Sequence, residues 1–293
     1  MRVWLLRLVW CTLPLAAGPA VGDALSGWAS RPQVVALSLC WLAWGAGIVA
    51  TLAPRPAGLT FLRTLAPAFA VLAIATTTTG STTGLVGWGA VVATLVTAAL
   101  VADDALAAAC ANGVAYGDER RYPLRTPPAL FLGPLPLVRM LVVVGVTAGP
   151  LLLADGRIVV GLVASVAGVA AVFFGSRALH GLSRRWMVLV PAGVVIADPL
   201  TLADPTLFVR EHVRSLRAAD PTAPIAPSAL DLRLGATWGT LVVTLDEEVD
   251  LLRSARGRHG GQTVHAGTLL VAVSRRDDLL VAAAQRRVRV EAR

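Results

Sequence analysis

Apolar residues fall in long blocks up to about residue 175 and alternate with polar ones beyond it. A helix needs about 20 apolar residues to cross a hydrocarbon core of about 30 Å. Six blocks fit that requirement and predict spans near residues 4–21, 34–53, 58–77, 85–101, 135–153 and 158–174. Polar breaks bound them: Arg31 and Arg55 flank the second, Arg63 sits in the first turns of the third, and Asp103 and Asp104 end the fourth. The tract Thr76–Gly84 (TTTTGSTTG) and the triplet Asp155-Gly156-Arg157 are short enough to make two helical hairpins. The first block also has the outline of a signal peptide, with Arg2, an apolar stretch and then Ala16, Ala17 and Ala20. Five further spans follow and the small-residue site is not a clean A-x-A, which favours a retained span.

Between the fourth and fifth spans lies a loop, residues 103–134. Its first part, to about Val114, has the composition to continue the fourth helix. Gly and Pro then break regular structure, and the apolar, Pro-rich piece Pro128–Pro136 suits the membrane interface. After Gly175 a short link leads to a β-rich domain at 183–293, about 110 residues and enough for one small domain. Trp186–Val190 and Val194–Ala197 predict a hairpin about Pro191-Ala192-Gly193. Thr206–Leu216 reads as one strand with a phase slip, or a helical turn. Ala229–Leu234 and Thr240–Leu245 form a second strand pair around Gly235–Gly239, followed by short strands at Val249–Leu252 and Leu269–Val273. A C-terminal helix begins at Ser274, with Asp277 placed as in a capping box. Leu279, Leu280, Ala283 and Ala284 recur at helical spacing. The predicted fold class is an α-helical transmembrane bundle of about six spans followed by a small β-rich domain, a bent sheet or partial barrel with one C-terminal helix.

Composition sharpens this picture. Of 293 residues, 56% are hydrophobic and 15% charged, against about 25% charged in an average soluble domain. That excludes a disordered chain and an ordinary soluble enzyme. The net charge is +8 and every basic side chain is Arg, with usage typical of a high-GC bacterial genome. In a soluble protein such an excess suggests nucleic acid; here it sorts by membrane side instead. With the N-terminus inside, the inner side holds Arg2, Arg7, Arg55, Arg63, Arg120, Arg121, Arg125, Arg139, Arg177, Arg184 and Arg185, and the outer side Arg31 and Arg157. This asymmetry predicts a plasma-membrane protein with both termini cytoplasmic and no nucleic-acid partner.

Chemistry-bearing patterns are sparse. The sequence has no HExxH, GxSxG or Walker A motif. Cys11, Cys40 and Cys110 are far apart without metal spacing, and His259 and His265 lack neighbouring acidic or Cys ligands. No catalytic residue, metal or cofactor is therefore expected. Asp103, Asp104 and Arg139 are the candidate interfacial or intramembrane charges, the first two entering the bilayer if the fourth span slides toward Cys110. The loop Tyr116–Arg125 packs Tyr116, Asp118, Glu119, Arg120, Arg121, Tyr122 and Arg125 together and contains both tyrosines of the chain. It is a candidate cytoplasmic docking loop, for the C-terminal domain or a partner. Arg253–Gln262 carries Arg253, Arg256, Arg258 and His259 without an acid. A Gly-rich basic loop of this kind suits phosphate and anionic lipid head groups, although Asp246, Glu247, Glu248 and Asp250 precede it. Gly161 with Ser165 and Ala164 with Gly168 suit small-residue helix packing within the chain.

The segments Arg185–Asp198 (RWMVLVPAGVVIAD), Leu207–Leu216 (LFVREHVRSL) and Leu269–Ala284 (LLVAVSRRDDLLVAAA) resemble bacterial pleckstrin-homology-like (PH-like) domains, over about a third of the chain. Tyr116–Arg125 (YGDERRYPLR) and Leu179–Trp186 (LHGLSRRW) make the whole chain resemble a family of actinobacterial polytopic membrane proteins. The resemblance implies an architecture and no activity. The function expected is a non-enzymatic anchor, scaffold or regulator in the lipid bilayer, binding a protein partner or anionic lipid head groups. The alternative is a subunit of a transporter or channel, which needs a polar pathway that the apolar span centres do not supply.

Overall fold

The computed structural model describes residues 1–79, 84–219, 228–254 and 261–291. Two compact units divide the chain: residues 1–110 with 135–180, and residues 111–134 with 181–293.

The first unit contains α1 (Arg2–Leu25), α2 (Ser30–Leu52), α3 (Pro56–Thr79) and α4 (Leu85–Ala102). The chain continues through α5 (Asp104–Asn112), β1 (Arg120–Pro123) and α6 (Pro128–Leu132) to α7 (Pro134–Ala154) and α8 (Ile158–Leu182). Six of the described helices, α1 to α4, α7 and α8, are long and apolar enough to cross a membrane. Their ends lie within four residues of the predicted blocks except at α8, which runs on to Leu182.

Packing of α1 on α2 centres on Trp10, which is wholly buried. Pro14 lies inside α1 and has no N–H, so the Trp10 carbonyl loses its helical donor. The Trp44 indole N–H donates to that carbonyl at 2.9 Å, and the Trp10 indole N–H donates to the Trp44 carbonyl at 3.0 Å. Gly47 makes room, since a Cβ there would lie 2.0 Å from the Trp10 ring. Helices α7 and α8 pack through small residues: a Cβ on Gly168 would lie 2.1 Å from the Gly145 carbonyl oxygen, and one on Gly149 2.3 Å from the Ser165 hydroxyl. Gly161, Ser165 and Gly168 of the predicted small-residue pairs thus lie at an intramolecular hairpin contact, a Cβ on Gly161 falling 2.8 Å from the Leu153 side chain.

The second unit is rich in sheet. After β2 (Trp186–Val190) and β3 (Gly193–Ala197) come β4 (Thr206–Val209), β5 (Val213–Ala218) and β6 (Ala229–Asp231). Then follow β7 (Thr240–Arg253), β8 (Gln262–Ala272), α9 (Arg276–Gln285) and β9 (Val290–Glu291). They form one sheet in the order β1-β2-β3-β4 and another in the order β6-β8-β7-β5-β9. Isolated bridges at Leu124–Val273 and Leu202–Arg253 link the two. Met187, Leu189, Val194 and Ile196 from the first sheet meet Leu216, Leu241, Val243, Leu269 and Val271 from the second, with Leu279 and Ala283 of α9, in one core.

Several expectations change here. The loop between α4 and α7 supplies β1, which pairs antiparallel with β2 from Arg120–Leu189 to Pro123–Trp186. The sheet unit therefore includes 111–134 as well as 181–293, rather than 183–293 alone. Thr206–Leu216 is two strands in different sheets, broken by a turn in which the His212 N–H donates to the Val209 carbonyl; that break is the phase slip. Ala229–Asp231 pairs in parallel with β8 and not with β7. Val249–Leu252 is the second half of β7, set off by an irregularity between Thr244 and Val249. The capping box does not form: Arg275 is the N-cap residue of α9 without a side-chain cap, and the buried Ser274 hydroxyl has no partner among the described residues. Asp277 instead sits in the first turn of α9 and pairs with Arg276 at 3.0 Å.

Candidate functional site

Arg185 is the residue before β2, and it organises the end of the sheet unit to which the chain returns from α8. The hairpin register that pairs Trp186 with Ala197 sets Arg185 beside Asp198. Its Nε and Nη2 donate to the two Asp198 carboxylate oxygens, each at 2.7 Å, and its Nη1 donates to the Arg125 carbonyl at 2.8 Å. The pair is almost fully buried, with side chains 2% and 0% exposed. A bidentate fork with a third acceptor is the geometry that offsets the desolvation of two charges.

From this pair, contacts run both ways across the unit. On one side the Leu202 N–H donates to the Asp198 carbonyl at 2.8 Å, and the Ser254 N–H to the Thr201 carbonyl at 2.9 Å. Exposed Arg253 is thereby bridged to Leu202, where the basic loop begins. Arg256, Arg258 and His259 lie outside the described residues. On the other side the Arg125 N–H donates to the Ala272 carbonyl at 2.8 Å, and the Val273 N–H to the Gly239 carbonyl at 3.0 Å.

The candidate docking loop is docked on this same unit. Tyr122 is buried in the core, where burial chiefly pushes its hydroxyl above the ordinary value. Arg121 lies over the Trp186 ring at 4.6 Å and pairs with Glu119. The Arg121 backbone exchanges two hydrogen bonds with the Asn112 side chain, at 2.9 and 3.0 Å. Arg286 donates to the carbonyls of Leu189 and Asp118. Arg120 opens β1, and Arg125 closes the segment with a side-chain bond to the Ser274 carbonyl at 3.3 Å. Tyr116, by contrast, is 90% exposed.

Three charges near the candidate spans, Arg7, Arg63 and Asp103, cap helix ends. Arg7 donates to the Thr51 and Leu52 carbonyls at the C-terminus of α2, at 3.0 and 3.1 Å. Arg63 donates to the Val101 carbonyl at the C-terminus of α4, at 2.8 Å. A cation at a helix C-terminus meets both the dipole and the unpaired carbonyls. Asp103 accepts the Ala105 and Leu106 N–H groups at 2.7 and 3.1 Å, opening α5, and lies 3.6 Å from Arg2. Asp104 stands in the first turn of α5. Arg139 is partly buried in α7, with its Nε unpartnered among the described residues. Farther along the four-helix group is an apolar cavity of about 340 Å³, lined by Pro14 and Gly18, Cys40 and Trp44, Phe69 and Thr94.

No group of three or more His, Cys, Asp or Glu side chains capable of holding a metal occurs among the described residues. His265 faces Asp250 at 2.5 Å on an exposed surface, and His259 is outside the described residues. Sequence reasoning missed the Arg185–Asp198 pair, yet its signal was present: a hairpin centred on Pro191-Ala192-Gly193 sets these two residues opposite each other. It also missed Trp238, 75% exposed. Comparison with family models, curated proteins and solved structures finds no match for this chain.

Proposed function

We propose that the chain is a multi-pass plasma-membrane protein whose sheet unit is a cytoplasmic, PH-like module. It acts as a non-enzymatic anchor, scaffold or regulator, and the basic loop Arg253, Arg256, Arg258 and His259 takes anionic lipid head groups. The observation that supports this reading is the placement of Arg253. It is bridged to Leu202, and Leu202 is bonded to Asp198, which pairs with Arg185, three residues after α8 ends. The loop therefore starts at the end of the unit nearest along the chain to a candidate span. Each Arg close to an anionic surface adds about 1 kcal/mol.

The test uses the full chain in nanodiscs of phosphatidylcholine alone or mixed with phosphatidylglycerol. Hydrogen exchange of residues 253–262 is followed across a salt series. The expected result is protection in the anionic discs that fades as salt rises and is absent in a variant with Arg253, Arg256 and Arg258 changed to Ser. Equal exchange in both discs at low salt overturns the lipid reading. It leaves a protein-docking module, to be pursued by cross-linking in intact membranes.

A further inference from the structure

Helices α1 to α4 leave a cavity of about 340 Å³ between them. The sequence of α1 makes the room. Pro14 and Pro19 both lie inside the helix, and Gly18 between them has no side chain; a Cβ on it would meet nothing within 4 Å. Trp44 of α2, Phe69 of α3 and Thr94 of α4 supply other walls. Little that is polar faces the space. The Thr94 hydroxyl is committed to the Ala90 and Val91 carbonyls of its own helix, at 2.8 and 3.0 Å, and the Trp44 indole N–H to the Trp10 carbonyl. The Cys40 thiol is a weak partner. Water needs two to four polar partners to be held in such a place, so water is not the occupant. An unfilled cavity forfeits contacts on every wall. Apolar walls around about 150 Å³ take benzene; on the same scale this cavity has room for roughly a dozen carbons.

Charged groups on the same four helices set its depth. Arg7 of α1 caps the end of α2, and Arg63 of α3 caps the end of α4. One end of this group therefore carries a layer of guanidinium groups, with the Arg2–Asp103 pair at the same end. Leu13 and Phe69 come six residues after Arg7 and Arg63, and Trp44 and Thr94 seven before Thr51 and Val101. At a rise of about 1.5 Å per residue, these walls begin about 9–10 Å from the charged layer, and the wall residue Val21 lies about 21 Å from it. All four helices are candidate membrane spans. Arginine at the end of a span keeps its charge in the interface, so these depths fall inside a hydrocarbon core of about 30 Å. The cavity also reaches the outside of the group. Its wall residue Trp41 is 57% exposed, and Val34, two turns away on the same face of α2, is exposed as well. The space is continuous with the apolar surface that α2 turns outward.

We infer that this cavity is a binding site for one hydrocarbon chain of a bilayer phospholipid, which enters sideways past Trp41 and lies against Gly18, Phe69 and Thr94. The walls offer no charge and no free strong donor, so the head group stays outside and the chain alone is bound. The inference rests on the membrane-spanning reading of α1 to α4. It needs no anionic lipid and no part of the sheet unit.

The experiment places the full chain in nanodiscs of phosphatidylcholine that carries a photoreactive diazirine midway along one acyl chain. After illumination, adducts are located by mass spectrometry of the digested protein. Leu13 and Thr94 line the cavity and are 5% and 1% exposed, out of reach of lipid on the outer surface. Val92, on the same helix as Thr94, is 58% exposed. The expected result is adducts at Val92 and also at Leu13 and Thr94. In Gly18→Phe, whose ring occupies part of the cavity, the two interior adducts should fall several-fold while that at Val92 stays. Gly18→Ala adds one methyl group and should keep all three. Adducts at Val92 with none at Leu13 and Thr94 overturn the proposal and leave the membrane reading standing. Interior adducts as strong in Gly18→Phe as in the parent chain also overturn it, because the lipid then reaches those residues by another route. No adduct at any of the three overturns the membrane reading, and the proposal with it. The variants should melt with the parent chain in the same discs; if Phe lowers the melting temperature, Gly18→Leu makes the same comparison with a smaller side chain.

Discussion

Arg185 and Asp198 form a bidentate pair, 2.7 Å at both contacts, across the open end of the β2–β3 hairpin. Both side chains are out of water, so the two single substitutions should be costly and the double one much less so. Asp198→Ala leaves a buried guanidinium without its anion and is expected to destabilise the sheet unit by about 3–5 kcal/mol. Arg185→Met with Asp198→Leu removes both charges and should recover most of that loss. Denaturant unfolding of the full chain, read by hydrogen exchange in β2 and β3, checks this. Equal losses in the single and double variants would show that the pair contributes through packing alone.

The contribution of β1 makes a second prediction. A fragment of residues 183–293 lacks the strand that covers β2 and the buried Tyr122 and Leu124. It should expose a strand edge and associate. Adding a peptide of residues 111–126 should return it to a monomer, as sedimentation would show. A fragment that is monomeric and natively folded by itself would count against the strand's importance.

Much of this architecture was legible from periodicity. The six long apolar helices follow from the length of apolar runs, and the β2–β3 hairpin from the Pro191-Ala192-Gly193 break between two apolar runs. Pairing of distant segments was not legible. β1 has only four residues, too few for alternation to distinguish it from a loop. The parallel pairing of β6 with β8 depends on a crossover that local turn signals at Gly235–Gly239 do not report. Among the candidate sites, the docking loop joined the expected domain because Tyr122 and Leu124 bury there, while Arg253 gained a placement only through Leu202. Asp103 and Asp104 are notable in sequence as acids beside a span, yet the role visible for Asp103 is that of a helix cap.

The reciprocal indole bonds between Trp10 and Trp44 should be coupled to Pro14. Trp44→Phe removes the donor to the Trp10 carbonyl, at a cost of about 0.5–1.5 kcal/mol. In a Pro14→Ala background that carbonyl regains a helical N–H, so the same change should cost measurably less. A double-mutant cycle, measured by detergent-induced unfolding, reads the difference. Gly47→Ala tests the neighbouring contact. Its methyl would meet the Trp10 ring, and a loss of about 1–3 kcal/mol is expected from overpacking.

Asp103 separates a structural role from a transport role. As the cap of α5 it accepts two backbone N–H groups. Asn caps as well as Asp, whereas Ala loses about 0.5–2 kcal/mol. Asp103→Asn should therefore melt close to the parent chain and Asp103→Ala lower. The exposed contact with Arg2, at 3.6 Å, contributes little to this difference. A proton or cation pathway through Asp103 predicts another pattern, with both variants equally defective in flux through proteoliposomes and Asn unable to substitute.

Asp231 gives the Trp238 loop a pH dependence. Burial alone raises the carboxyl's pKa, but hydrogen bonds from the Arg233 side chain and backbone, with the Arg233 charge, outweigh it and hold the group below its ordinary value of 3.8. A depressed pKa in the folded state means that the unfolded chain takes up the proton first. The pair therefore stabilises fully above the ordinary value, and its contribution is lost as pH falls through the lower, folded one. Asp231→Asn should lower the melting temperature near neutral pH, and the gap from the parent chain should close as the solution is taken below about 3.8. Hydrogen-exchange protection at residues 233–239, taken relative to the intrinsic rate at each pH, should fall in the same interval, because Arg233 then loses the anion that fixes the turn. A gap that stays constant into strong acid would show that Asp231 acts through its shape and not its charge.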